Sequence, residues 1–292
     1  MSLVCTVLPA NGFSPADTFL SGQCFRWNEQ DDGSFCGITD QRVLRVFCQG
    51  NLFFAEGISP AEFDRCGFGR YFDLDRDYAS IAAELSGLSP VMREACAMTP
   101  GVRILRQDPW ETLCSFILSQ NNNIPRIKGI VSRLCEQFGT PCGQGQFSFP
   151  SAQVLAAQTP ESLAPLRSGF RAKYLLDAAQ KVASGALPLD SLADSPLPEA
   201  RAALQTVSGV GPKVAECVLL YGLGRLEAFP VDVWIGRAMT QLFPGKTPEF
   251  FGPYAGIAQQ FLFCYCRRIN LKSSESFTLT ADTIGKDDCF HE

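Results

Sequence analysis

The residues best suited to covalent chemistry lie in one run, from Leu204 to Trp234. Lys213 follows the turn Gly209-Val210-Gly211 and Pro212, and Asp232 comes 19 residues later, after a helix and a turn. An amine at a helix mouth becomes a nucleophile where its surroundings oppose the charged form, and here the neighbours are apolar. Gly209 and Gly211 lack Cβ, so they admit positive φ and the close approach of a foreign group to the backbone. Free N–H groups at a helix start, with the positive end of the dipole, form a ready anion site. A hairpin of this kind can hold a nucleic-acid phosphate with no basic side chain.

The elements that must carry these groups follow from periodicity and punctuation. Pro212 suits the first helical position, where its missing N–H costs nothing. Val214, Cys217, Val218 and Tyr221 then keep the i, i+3, i+4, i+7 spacing of a buried face. Upstream, Asp108-Pro109-Trp110-Glu111 predicts a capping box, opening a helix that ends at the polar run from Ser119 to Asn123. Ile127, Ile130, Val131, Leu134, Cys135 and Phe138 predict the next helix, stopped by Gly139. Residues up to about 70 read as strands, with hairpin signals at Gln49-Gly50-Asn51 and Asp31-Asp32-Gly33-Ser34. From about Tyr71 onward the pattern is helical, with loops over 143–146 and 185–198. The expected fold is α+β: a small antiparallel sheet domain over 1–75 and a mostly helical region over 76–272. The helix-hairpin-helix falls at about 199–224 and a polar tail at 273–292, with the site in the cleft between the helical parts.

The run GVGPKVA…VDV resembles the helix-hairpin-helix, Gly/Pro-Asp superfamily of DNA glycosylases, in its lysine-bearing bifunctional branch. Four more segments resemble the eukaryotic-type 8-oxoguanine DNA glycosylases in the same order: SGQCFRW from Ser21, RQDPWETLCSFILSQNNNIPRI from Arg106, SGFRAKY from Ser168 and GPYAGIAQQFLF from Gly252. The resemblance runs over roughly residues 5 to 270. It implies base-excision repair of 8-oxoguanine opposite cytosine in double-stranded DNA, with no cofactor and no metal, by a monomer. Lys213 would attack C1′ of a nucleotide flipped out of the helix, expel the damaged base and pass through a Schiff base to β-elimination. Asp232 would stabilise the cationic sugar and help orient the amine; it also suits the N-cap of the apolar stretch that follows it.

Base recognition is expected on the C-terminal helix. Tyr254, Ile257, Ala258, Phe261, Leu262 and Tyr265 form its core stripe, whereas Gln259 and Phe263 lie four apart and share a face largely off it. An aromatic beside an amide suits a stacking platform with a reader of the Watson–Crick edge, and Cys217 would close the other face of the base. Oxidation places a hydrogen on guanine N7, where the normal base has only an acceptor, and the family sets a backbone carbonyl there, at the glycine matching Gly22. Asn121 would fill the space left by the flipped base, and Arg126 and Arg171 would offer donors to the orphaned cytosine. Two positions depart from the family. Phe170 stands where a tyrosine wedge is common, and Trp234 stands where a phosphate-contacting histidine is common.

Composition is compatible with this reading. The chain has 292 residues, 46% hydrophobic and 19% charged, an ordinary globular balance. The single His291 excludes histidine-centred catalysis and most zinc sites. Cys264, Cys266 and Cys289 lack the spacing of the iron–sulfur loop of endonuclease-type relatives, and the 13 cysteines read as reduced core residues. A net charge of −5 is unusual for a DNA binder, yet residues 121–173 hold six basic side chains against two acidic ones. No apolar run is long enough to cross a membrane. With no basic cluster, a bacterial cytoplasmic location is expected, or a nuclear one in a eukaryote. The rival readings are a glycosylase for another damaged base and a catalytically silent DNA-binding module on the same hairpin.

Overall fold

The computed structural model describes residues 4–272. The expected tail at 273–292, including His291 and Cys289, lies outside the described residues. Five strands form one antiparallel sheet, β1 (Cys5–Pro9), β2 (Trp27–Glu29), β3 (Phe35–Thr39), β4 (Arg42–Gln49) and β5 (Leu52–Glu56), in the order β1-β5-β4-β3-β2. The β3–β4 turn places Asp40 and Gln41 at positive φ, the geometry that matches the twist of the flanking strands. Alternation along β4 sends Leu44 and Val46 inward and Arg45 outward. The inward face meets an aromatic layer of Phe13, Phe19, Trp27, Phe53, Phe63 and Phe72. Phe19 stacks on Trp27 at 4.4 Å. The strand reading to residue 70 ran too long. Ser59 opens a helix over Pro60–Arg65 through a full capping box with Glu62, and a short helix, Pro15–Phe19, interrupts the strands.

The rest is helical around a second, larger core. Its elements at the site are α1 (Pro109–Ser119), α2 (Ile124–Phe138), α3 (Arg171–Ala183), α4 (Leu197–Leu204), α5 (Pro212–Cys217), α6 (Val233–Gln241) and α7 (Ala255–Arg268). Asp108 caps α1 by accepting from the Glu111 N–H at 2.7 Å. The reciprocal half of the expected box is missing, because Glu111 reaches Arg26 at 3.1 Å instead. Both groups are largely shut off from water, so each needs the other's charge more than the cap needs a second bond. Burial raises the Glu111 carboxyl, and Arg26 opposes that rise. A small hairpin, Pro141–Gly143 with Gln146–Phe147, occupies the expected loop at 143–146.

The helix-hairpin-helix is α4 and α5 joined by the glycine turn. After Cys217 the backbone widens into a π-helical turn, Val218–Gly222, a distortion often found at functional sites. Buried Glu216 ties the unit together. One carboxylate oxygen takes the Arg201 guanidinium of α4 and the other accepts the Phe229 N–H at 2.8 Å. The strap leading to Asp232 is thereby fixed to the hairpin. At Gly256 an added Cβ would come within 2.3 Å of Leu220, so α7 packs directly on the π turn.

Candidate active site

Gly209 adopts φ +77°, and a Cβ there would sit 2.4 Å from the Tyr174 ring. Only glycine satisfies both conditions. Gly211 is the N-cap of α5 and faces open space. Lys213, half-buried, projects from the first turn of α5. Its Nζ lies 4.9 Å from the centre of the Phe116 ring on α1 and 3.5 Å from Ser119 Oγ. The ring face attracts the ammonium form of the side chain, and the Ser119 hydroxyl and the Cys217 thiol are its polar neighbours. Burial pushes the Cys217 thiol up to about 11, the Lys213 ammonium opposes the rise, and the Asp232 carboxylate adds to it. Cys217 therefore lies within the field of both groups. Asp232 caps α6, with Oδ1 accepting from the Ile235 N–H at 2.9 Å, which holds the carboxylate in place.

Behind Lys213 the residues expected to recognise a base converge. An ideal Cβ on Gly22 would touch the Phe263 ring at 3.4 Å and Ile124 at 3.7 Å, and Gly22 has φ +76°. The bare glycine and the aromatic are neighbours although 241 positions separate them in the chain. Phe263 is partly buried, with Arg267 over its ring at 5.4 Å. Gln259 departs from the expectation, because it lies in the interior, 3% exposed. Helix periodicity set it off the core stripe, but the π turn presses Tyr221 against that side of α7, and the Tyr221 hydroxyl stands 3.3 Å from Gln259 Oε1. A buried amide with one long contact retains bonding capacity.

The groups expected to face DNA lie around the loop between α1 and α2. Asn121 is exposed at φ +46°. Asn123 caps α2 through the Arg126 N–H at 2.9 Å, so its role is local, and the Arg126 side chain is exposed. Phe170 is 50% exposed, free to act as a wedge. Arg171 lies in different surroundings from those its spacing suggested. Its guanidinium is buried and donates to the Gln120, Asn121 and Ser168 carbonyls. Loop carbonyls outcompete solvent for a planar fork at this distance, so in this conformation Arg171 braces the Asn121 loop and offers few donors to a base. Loss of hydration lowers its pKa, with Arg126 nearby adding to the effect. Trp234, partly buried on α6, has Arg237 over its ring at 5.2 Å. Arg237 thus supplies a cation beside the position where a histidine is common.

Sequence reasoning missed Phe116, Ser119, Tyr221 and Gln260. Phe116 and Tyr221 stack at 5.5 Å, joining the ring under Lys213 to the hydroxyl beside Gln259. Spacing placed Tyr221 only on a buried face and left Phe116 unmarked, and no periodicity reveals which core residue underlies a site. Among the described residues no cluster of three His, Cys, Asp or Glu side chains could hold a metal, and no helix is long and apolar enough to cross a membrane.

Residues 6–113 match the 8-oxoguanine DNA glycosylase N-terminal domain, and residues 114–249 match the HhH-GPD superfamily of base excision DNA repair proteins. The chain is 32% identical over 280 residues to the N-glycosylase/DNA lyase OGG1 of Arabidopsis thaliana, covering 84% of this chain and 75% of that one. With the Saccharomyces cerevisiae N-glycosylase/DNA lyase it shares 41% over 152 residues, 47% of this chain and 40% of the yeast protein. Among solved structures it is similar to the Clostridium acetobutylicum 8-oxoguanine glycosylase/lyase in complex with double-stranded DNA containing cytosine opposite 8-oxoguanine. There the identity is 34% and the TM-score 0.84, over 92% of this chain and 99% of that one.

Proposed function

The chain belongs to the 8-oxoguanine DNA glycosylase family within the HhH-GPD superfamily, and on that footing we propose that it is a bifunctional DNA N-glycosylase/AP lyase. It removes 8-oxoguanine opposite cytosine from duplex DNA, acting as a monomer in the cytoplasm, or in the nucleus of a eukaryotic host. The sheet unit ends near residue 75, and the chemistry belongs to the helical region after it.

The observation that carries the reading is the placement of Lys213 in the first turn of α5 behind the Gly209 turn, set against the Phe116 ring and Ser119, with Asp232 held as the cap of the next helix. Lys213 Nζ, as the free amine, bonds to C1′ of the flipped nucleotide while the C1′–N9 bond breaks and the departing base takes a proton. Ring opening yields a Schiff base. Loss of a C2′ proton then expels the 3′ phosphate, which nicks the strand. Asp232 faces the positive charge that develops on the sugar and stabilises it electrostatically. Phe263 stacks on the base, Gln259 meets its Watson–Crick edge, Cys217 closes the far side, and the Gly22 carbonyl accepts from N7–H. Gly209 and Gly211 expose N–H groups to a phosphate, with Trp234 and Arg237 flanking the same backbone. Asn121 and Phe170 fill the gap in the duplex, and Arg126 reads the orphaned cytosine while Arg171 braces the loop.

The test is a set of duplexes carrying one 8-oxoguanine opposite each of the four bases. Free 8-oxoguanine and a nick should appear fastest opposite cytosine. Release of an alkylated base with 8-oxoguanine left intact would assign the chain to another activity of the superfamily.

A further inference from the structure

The Gly22 carbonyl sits between two immobilised peptide groups. On one side the Ser21 carbonyl accepts from Gln260 Nε2 at 3.0 Å. On the other the Gln23 carbonyl accepts from Gln107 Nε2 at 2.8 Å. The Gln23 side chain locks the same loop, donating to Thr18 and Arg103 carbonyls and accepting from the Leu105 N–H. Among the described residues no donor meets the Gly22 carbonyl itself, and Gly22 is only partly buried. A carbonyl held at both flanks and left unengaged is an acceptor aimed in advance.

Gln260 is fully buried, 0% exposed, and its second end completes the arrangement. Gln260 Oε1 accepts from the Tyr221 hydroxyl at 2.6 Å. Tyr221 has one proton, and Gln260 takes it at the shorter distance. Gln259 Oε1, at 3.3 Å from the same hydroxyl, is left as a weakly engaged acceptor. Guanine presents donors at N1 and N2 along its Watson–Crick edge, so an unsatisfied carbonyl suits it and an occupied one does not.

Resting on the glycosylase reading above, we propose that Gln260 and Tyr221 are positioning residues that set lesion selectivity. Gln260 holds the Gly22 carbonyl toward N7–H, the contact that tells the lesion from guanine, and by taking the Tyr221 proton it keeps the Gln259 carbonyl open to the N1 and N2 donors that both bases share. Neither residue touches the reacting atoms. Replacing Gln260 by methionine keeps the volume, frees the Ser21 carbonyl and returns the Tyr221 proton to Gln259. Both recognition contacts weaken, while the lysine machinery on α5 is untouched.

The experiment compares Gln260→Met and Tyr221→Phe with the unaltered protein. Affinities for 8-oxoguanine:cytosine and guanine:cytosine duplexes are measured in a Lys213→Gln background, and nicking of an abasic-site duplex with Lys213 intact. Gln260→Met should cut the lesion-over-guanine affinity ratio by about 5- to 150-fold, the equivalent of about 1–3 kcal/mol for buried hydrogen-bonding groups left without partners. Tyr221→Phe, which keeps the Phe116 stack and leaves the Gln259 carbonyl open, removes only the anchor on Gln260 Oε1, so it should move the ratio in the same direction by less. Abasic-site nicking, which involves no base, should stay within about 2-fold, whereas a merely structural role would lower it together with binding. An unchanged ratio, or nicking lost in parallel with affinity, overturns the proposal, and if Gln260→Met fails to fold the Tyr221→Phe comparison decides. Absence of any action on 8-oxoguanine by the unaltered protein would instead sink the glycosylase reading, and the selectivity role would fall with it.

Discussion

Phe263 is where recognition and stability can be separated most cleanly. Its ring lies against bare Gly22 and is partly buried. Stacking a base on an aromatic contributes about 1–3 kcal/mol, so Phe263→Ala should weaken binding of an 8-oxoguanine duplex by roughly 5- to 150-fold. A fully buried Phe→Ala change costs about 3–5 kcal/mol of stability. Phe263 keeps part of its surface in water, so about half that figure is expected. At about 2–4 °C per kcal/mol for a protein of this size, the melting temperature should fall by roughly 3–10 °C. The assay is a titration of fluorescent lesion duplex in a Lys213→Gln background, alongside thermal melting of the same samples. A fall in melting temperature well beyond that range, with affinity unchanged in the folded fraction, would refute the stacking assignment and return Phe263 to the core.

Arg126→Ala should erode the preference for cytosine opposite the lesion by about 1–3 kcal/mol, the worth of a good side-chain-to-base contact; equal excision opposite all four bases by the unaltered protein would contradict that role. Gly209→Ala imposes a side chain at φ +77° and within 2.4 Å of the Tyr174 ring. The left-handed conformation alone costs roughly 1–2 kcal/mol, so both the urea midpoint and DNA affinity should drop, and an unaltered midpoint would show that the turn relaxes freely. Burial pushes the Cys217 and Cys264 thiols up to about 11 from an ordinary value of 9.0. These thiols are held neutral in the folded state, so their contribution is complete below about pH 9 and is lost as pH rises through 11. Melting temperature should decline over that window, less steeply in Cys217→Ala, and a flat profile would contradict the burial.

What the sequence revealed depended on how local each cause was. The glycine turn, Pro212 and the apolar face of α5 are set by neighbours within a turn or two. The Gly50-Asn51 hairpin and the Asp108 cap are equally local. Partners distant in the chain were hidden. Glu111 looked like half of a capping box because Arg26, 85 positions away, cannot be seen from its own segment. Gln259 looked peripheral because periodicity places a residue on one helix without showing which neighbouring element covers it. Arg171 looked like a free donor because the Gln120 and Asn121 carbonyls that hold it come from another loop. Tyr221 was placed on a buried face, which is correct as burial and silent about its links to Gln259 and Gln260, and no local signal marked Phe116 or Gln260 at all.

The central claim is that Lys213 is the nucleophile, and borohydride trapping on an 8-oxoguanine:cytosine duplex tests it most directly. The reaction should yield a covalent protein–DNA species whose peptide map places the sugar remnant on Lys213, and Lys213→Gln should form none while still binding the lesion duplex. Undiminished cross-linking by Lys213→Gln, or a remnant mapped to another amine such as Lys128, would contradict the account.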